Sequence, residues 1–317
     1  MDMSFKEDLS NTSFIATAEL NPPKSFECGK ILENASKLKG LVSAINITDN
    51  SGASVKVSSM TISHLIKRDF NIEPIWQITC RDRNRLAVQS DLLSAKVFGL
   101  SNILPLRGDE LKQGDYPDAK ASFDLNTEEL IQVIKQLEKG RDLATKELKP
   151  HLGDFSFCVG SAAHPGVPDL VGQRETMLRR LDLGVEFFQT QICFDLSQLE
   201  IFKNAIGEKL ASKTLLGITP IKSLKQAEFM HKNIWGVAVP DYIFSELTAV
   251  TNLDADSTKS LEAQCEIGLK FSQQICKRVQ ELGFKGIHLM AIGQEANLAD
   301  ILKRIMPESA FCSKFFN

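Results

Sequence analysis

The sequence predicts an α/β chain folded as a single (β/α)8, or TIM, barrel, and three observations carry that reading. Short apolar runs rich in β-branched residues alternate with longer stretches of helical periodicity, as a parallel sheet built from βα units requires. Eight such units can be counted, the number that closes a barrel. No Gly-x-Gly-x-x-Gly opens a helix after the first run, which leaves an open dinucleotide-binding sheet without its fingerprint.

The first strand is expected over Phe14 to Leu20, stopped by Asn-Pro-Pro, with a helix over Glu27 to Leu38 behind it. The second, Ser43 to Thr48, runs into a polar Asp-Asn-Ser-Gly turn, and the third covers Pro74 to Thr79 with a helix over Asn84 to Phe98. Asn102 to Leu106 forms the fourth, ending in Arg-Gly-Asp, and a helix over Thr127 to Lys146 follows it. The fifth, sixth and seventh are Phe155 to Ser161, Glu186 to Ile192 and Thr214 to Thr219. A helix over Leu261 to Leu282 leads into the eighth, Gly286 to Ile292. The weakest join lies before that helix, where IWGVAVPDYIF (234–244) itself reads as a strand and TNLDADSTKS (251–260) as an exposed loop or helix cap. The first twelve residues are expected as a short lid or helix outside the barrel. No internal repeat or low-complexity tract divides the 317 residues, so residues 1–317 are read as one domain.

Composition narrows the class of function. The chain is 43% hydrophobic and 24% charged, enough to bury a core, and its formal net charge of −3 comes without a basic stripe, which argues against nucleic acid. The polar, acidic start and the lack of any long apolar run lead to the expectation of a cytoplasmic protein with no membrane association. Seven widely spaced cysteines with no Cys-x-x-Cys read as reduced thiols, most of them in the core, and no metal site is expected.

In this fold the chemistry sits at the C-terminal ends of the strands. There the sequence places Glu19, Thr48 and Asp49, Cys80-Arg81-Asp82, Arg107-Gly108-Asp109, His164, Gln191, Lys222 and Gln226, and Gln294. Polar loops and helix caps explain many such residues equally well. Glu19, at the tail of an apolar strand and aimed into the mouth, suits a general acid or a hydrogen-bonded structural carboxylate. Asp109 sits in a glycine-containing turn that lets backbone approach a ligand, or acts as a helix cap. His164 stands beside a proline turn, as a ring stacked on a cofactor or as a surface histidine.

TAELNPP (17–23), INITDNSGAS (45–54), the stretch from ITCRDRN to LPLRGDE (78–110), GDYPDAKASFDL (114–125) and QTQICFD (189–195), in this order, resemble the methylenetetrahydrofolate reductase family. CRDRN and GDYPDA are similar to its short bacterial branch, including reductase halves fused to homocysteine methyltransferases and enzymes of acetyl-CoA-pathway bacteria. The resemblance implies a flavoprotein oxidoreductase of one-carbon metabolism that reduces 5,10-methylenetetrahydrofolate to 5-methyltetrahydrofolate. It implies FAD, with FMN as the alternative, and NAD(P)H or an electron-donating protein subunit as reductant. It also implies an oligomer of like or unlike subunits.

By the same resemblance Glu19 is the acid that protonates the folate nitrogen, and Asp109 is the carboxylate beside flavin and pterin. Gln191 and Gln294 fall at substrate positions, and Gln226 at a substrate or nicotinamide contact. Thr48, Arg107, Gly108, Asp109, Ala121, His164, Arg179 and Arg180 fall at flavin-contacting positions, the two arginines suiting a diphosphate. Gln77, Pro168, Gln173 and Gln294 depart from the family's pattern: Gln77 replaces a flavin-contacting His of some members, and Gln294 an Arg that holds substrate. Those departures leave open another pterin or imine substrate, or a non-catalytic, electron-relay subunit of a larger complex.

Overall fold

The computed structural model describes residues 4–149, 155–251, 257–290 and 292–306. Eight strands, β1 (Ile15–Leu20), β2 (Ala44–Ile47), β3 (Pro74–Thr79), β4 (Asn102–Leu106), β5 (Cys158–Ala163), β6 (Phe187–Ile192), β7 (Thr214–Ile218) and β8 (Gly286–Leu289), close into a barrel in sequence order. Every pair is parallel, and β8 returns to β1 through Ile15↔Gly286 and Ala18↔Leu289. The α/β barrel expected from the alternation of elements is therefore the observed fold.

Alternation within each strand sorts the side chains. Outward residues such as Ala18, Ile45, Ile47, Trp76, Ile103 and Val159 are buried under the surrounding helices. Inside, the N-terminal end of the barrel is filled by Ile15, Ala44, Ile75, Leu104, Cys158, Phe187 and Leu215. The first helix, α1 (Phe5–Asn11), starts on a Ser4/Glu7 capping box and drives the fully buried Phe5 edge-on against Phe187, ring centres 5.1 Å apart. The N-terminal segment is a helix, as one of its two expected forms, and it plugs the floor of the barrel instead of covering its mouth.

Local chemistry explains where the boundaries moved. β5 begins at Cys158, not Phe155, because its ladder starts opposite Asn102, the first residue of β4. Helix α5 (Thr127–Glu138) stops eight residues before the expected Lys146, since Gly140 turns left-handed at φ 74°. The IWGVAV segment is no strand: Gly236 turns at φ 74°, a backbone bond from Val237 to the Ile234 carbonyl closes the turn, and a closed ring offers no free edge. Pro240 then precedes helix α10 (Asp241–Thr251), which packs on the long α11 (Ser257–Glu281). Of TNLDADSTKS, residues 252–256 lie outside the described residues, as do residue 291 near the expected end of the last strand, the PESAFCSKFFN tail and Cys312. No helix among the described residues is long and apolar enough to cross a membrane.

Candidate active site

Above the apolar floor the inside of the barrel turns polar. Asn46 Nδ2 donates to Gln189 Oε1 at 2.6 Å and Gln189 Nε2 donates back to Asn46 Oδ1 at 3.0 Å, joining β2 to β6 across the interior. Thr17 Oγ lies 2.9 Å from His288 Nδ1. One step closer to the mouth, Gln77 Nε2 donates to Glu19 Oε2 at 3.1 Å and His288 Nε2 faces the same oxygen at 3.5 Å. Glu19 is thus held on one oxygen at the end of β1 while its side chain stays about one-fifth exposed.

A second cluster hangs from the strand ends beside it. Thr48 and Ser51 both donate to Asn21 Oδ1, at 2.9 and 2.8 Å, and Lys56 Nζ donates to Ser51 Oγ at 2.6 Å. Burial holds the Lys56 ammonium below the usual lysine range, opposed by the nearby charges of Glu19 and Asp109. Asp109 Oδ2 accepts from the Gly52 backbone N–H at 2.7 Å. Gly108 adopts φ 90°, and a β-carbon there would meet the β-carbons of Arg81 and Thr79 at 3.0 Å, so only glycine turns the chain this tightly after β4. Glu19, Thr48, Gly108 and Asp109 therefore line one side of the mouth.

The other expected residues fall elsewhere. Arg107 is exposed, paired with Glu110 at 2.6 Å and lying 4.4 Å over the Phe123 ring; Ala121 is exposed in the segment that follows. Helix α6 (Leu170–Asp182) carries Gln173 in its first turn, with Pro168 just before it. Arg179 and Arg180 lie in its last turn: Arg179 reaches Glu128 at 3.4 Å, and Arg180 Nη1 donates to Ser161 Oγ at 2.9 Å. His164 stacks edge-on against Trp235 at 5.3 Å, and burial, with the charge of Arg180, pushes its pKa down. His164 Nδ1 is buried without a hydrogen-bond partner; Arg180 Nε makes no hydrogen bond and has the Glu128 carboxylate at 3.8 Å, and burial lowers the Arg180 pKa against the pull of that carboxylate. A buried cation and an unsatisfied ring nitrogen suit an anionic or hydrogen-bonding ligand. Trp235, the ring partner of His164, also lines a cavity of about 490 Å³ together with Gly166, Cys193, Asp195 and His231 among others.

On the third side Gln226 is spent on the chain itself, accepting from Lys222 N–H at 2.8 Å and donating to the Ile292 carbonyl at 2.9 Å. Gln294 donates to the Pro220 carbonyl at 2.9 Å, so both amides tie the loop after β7 to that after β8. Gln191 sits at a register shift of β6, its Oε1 accepting from Ile192 N–H at 3.0 Å. No group of three His, Cys, Asp or Glu side chains among the described residues could hold a metal ion.

The family model for methylenetetrahydrofolate reductase matches residues 4–306, the whole barrel. The chain belongs to the methylenetetrahydrofolate reductase family. The Pectobacterium carotovorum 5,10-methylenetetrahydrofolate reductase is 23% identical over 291 residues, which are 90% of this chain and 86% of that protein. Methylenetetrahydrofolate reductase 1 of Schizosaccharomyces pombe is also 23% identical, over 90% of this chain, but the chain spans only 45% of that protein. The same fold recurs in an uncharacterized Clostridium thermocellum protein described as binding two copies of 5-methyl-5,6,7,8-tetrahydrofolic acid, with a TM-score of 0.62, 17% identity and coverage of 95% of this chain and 100% of that one.

Several residues of the mouth escaped the sequence reading. Asn21, Lys56 and Trp235 belong to loops whose course no local pattern fixes. His288 and Gln189 had a readable signal, being inward positions of β8 and β6 by alternation, two residues below the mouth.

Proposed function

We propose that this chain reduces 5,10-methylenetetrahydrofolate to 5-methyltetrahydrofolate with a bound flavin, FAD or FMN, and with NAD(P)H or a protein subunit as electron donor. The observation that carries this reading is the family match across residues 4–306, joined to a carboxylate at the end of β1 that accepts from Gln77 Nε2 and has His288 Nε2 3.5 Å from the same oxygen. The folate bound by the Clostridium thermocellum protein, which shares the fold, supports a folate ligand here.

In this reading Glu19 delivers a proton to the folate nitrogen. The carbon–nitrogen bond of the bridging methylene breaks, its electron pair stays on that nitrogen, and an electrophilic iminium carbon results. Asp109 orients the pterin by accepting from its amino group, and Gln191 supplies a further amide contact. Thr48, Gly108 and the His164–Arg180 pair would hold the flavin, the unsatisfied Nδ1 and Nε supplying hydrogen bonds and charge. A flavin supplies the hydride when bound. Arg107, Ala121 and Arg179 would contact it only by turning from their present neighbours. Gln226 and Gln294 would act as supports of the β7 and β8 loops.

The test is an absorbance spectrum of the purified protein, followed by anaerobic addition of 5-methyltetrahydrofolate and, separately, NADH and NADPH. Bleaching of the oxidised flavin band by methyltetrahydrofolate supports the assignment, and the nicotinamide additions identify the donor. A bound flavin that no folate bleaches moves the substrate to another pterin or imine; a protein that cannot be loaded with flavin sinks the reading.

A further inference from the structure

A folate spans the mouth, and the order of strands in the ring fixes which loops each end meets. If Asp109 holds the pterin amino group after β4 and Glu19 protonates the folate nitrogen at the end of β1, the ligand lies across the opening between those two strand ends. The nitrogen that takes the proton also bears the aminobenzoyl group, to which the glutamate is joined. In the ring β4 stands opposite β8, and β8 pairs with β1. Beyond Glu19 the glutamate end therefore comes out over the loops that follow β8 and β7. Its carboxylates call for a cation there. Both glutamines of those loops are spent, Gln294 on the Pro220 carbonyl and Gln226 on the Lys222 N–H and the Ile292 carbonyl.

Lys222 is the cation where the two loops meet. Its half-buried side chain crosses from the loop after β7 to the loop after β8, where Nζ donates to the Gly293 carbonyl at 3.3 Å. Gly293 turns at φ 68°, and a β-carbon there would stand 3.0 Å from Nζ, so the glycine makes room for the ammonium. The backbone below is fixed on both sides: the Lys222 N–H donates to Gln226 Oε1 at 2.8 Å, and the Lys222 carbonyl accepts from Cys265 Sγ on α11 at 3.4 Å. Glu295, the carboxylate of the same turn, accepts from the Gly293 N–H at 3.2 Å, and no described carboxylate forms an ion pair with Lys222. An ammonium has three protons, so one carbonyl leaves two of them for a ligand. Other cations around the mouth are matched already: Lys24 by Asp115 at 2.8 Å, Arg83 by Asp49 at 2.6 Å and Arg107 by Glu110 at 2.6 Å. Lys56 lies within the fields of Glu19 and Asp109.

We propose that Lys222 recognises the acylglutamate tail of the substrate, its ammonium pairing with a tail carboxylate while the Gly293 carbonyl holds it in place. This rests on the reading of a folate laid between Asp109 and Glu19. Lys222 stays away from the reacting atoms and contributes affinity and choice of substrate: a pterin without an anionic tail leaves the pair unmade. The fixed backbone limits the ordering that binding costs.

Anaerobic calorimetry on the flavin-loaded protein, reduced beforehand so that no turnover follows binding, gives the affinities of two ligands. One is 5-methyltetrahydrofolate; the other is the N-methylamide of 5-methyltetrahydropteroate, which keeps the pterin, the aminobenzoyl ring and the amide but has no carboxylate. The parent chain is expected to bind the first about tenfold more tightly, as one charge-assisted hydrogen bond allows. Lys222→Arg should keep that preference and Lys222→Met should abolish it, with affinity for the amide and flavin content unchanged in both. Each variant is its own reference through the amide, so a general loss of folding cannot mimic the result. A preference that survives in Lys222→Met, or no preference in the parent, overturns the proposal and leaves the folate reading standing. Loss of flavin from Lys222→Met would assign the ammonium to a flavin phosphate and overturn it too. If the parent binds neither ligand, the folate reading falls and takes the proposal with it.

Discussion

Asp49 and Arg83 form an ion pair at 2.6 Å in which the carboxylate side chain is only 2% exposed and the guanidinium 15%. Asp49 Oδ2 also accepts from the backbone N–H and the hydroxyl of Thr79, each at 2.9 Å, so one carboxylate ties the ends of β2 and β3 to the entrance of helix α4 (Arg85–Val97). Removing it leaves a desolvated guanidinium with Asp91 as its remaining partner and strands a buried Thr79 N–H. Asp49→Ala is expected to lower stability by about 3 kcal/mol, measured as a urea-midpoint shift at unchanged slope. A loss below about 1 kcal/mol would show that solvent replaces the pair.

The cysteines give a prediction that depends on pH. Burial pushes the thiols of Cys80 to about 11 and of Cys193 and Cys276 to about 12, and raises Cys158 as well. Since the thiolate is the nucleophile, at pH 8 roughly one Cys80 in a thousand is reactive. Among the described cysteines, iodoacetamide followed by peptide mass spectrometry should label the half-buried Cys28 first and leave these four intact until the chain is denatured. Early labelling of Cys193 would mean that the cavity it lines opens in solution.

The barrel was legible because its information is periodic: apolar alternation and helical stripes repeat eight times, and each strand end is marked by polar residues. Glu19 and Asp109 could be picked out because Asn-Pro-Pro and Arg-Gly fix where those strands stop. The partners of Glu19 could not, since Gln77 and His288 lie 58 and 269 residues away and meet it only when the ring closes. Nor does a sequence distinguish an amide aimed at a ligand from one spent on backbone, which is why Gln226 and Gln294 looked alike to Gln191.

His164 makes stability fall on mild acidification. Its folded-state pKa lies below the ordinary 6.5, first through burial and then through Arg180. The unfolded chain therefore takes up a proton near 6.5 that the folded chain refuses until lower pH, and stability is lost as pH falls through that window. Urea midpoints of the flavin-free protein between pH 5 and 7 should slope less in His164→Gln than in the parent chain. Parallel slopes would place the acid sensitivity elsewhere.

Gly268 looks like a weak point in the middle of α11, where alanine would favour the helix by roughly 0.5–1 kcal/mol. A β-carbon there, however, would come within 1.9 Å of the Ile221 carbonyl oxygen, on the loop after β7. Gly268→Ala is expected to destabilise the protein by about 1–3 kcal/mol, as backbone must part from backbone. Because Lys222 and Gln226 belong to the displaced stretch, the loss should be accompanied by faster amide exchange there. A stabilised variant would show that α11 can shift away without strain.

Glu19→Gln separates an acid from a scaffold. The amide is nearly isosteric and can still receive the Gln77 N–H on its oxygen, so the fold and any flavin site lose little. What it cannot do is give up a proton near neutral pH. If Glu19 delivers the proton to the folate nitrogen, the rate at which 5,10-methylenetetrahydrofolate reoxidises the reduced flavin should fall by about 10²–10⁴, the usual worth of a positioned acid or base. Reduction of the same flavin by its electron donor should be nearly unchanged, because that half-reaction needs no proton at the folate nitrogen. Equal losses in both half-reactions would instead assign Glu19 to holding the flavin, and no loss in either would return it to a structural carboxylate at the end of β1.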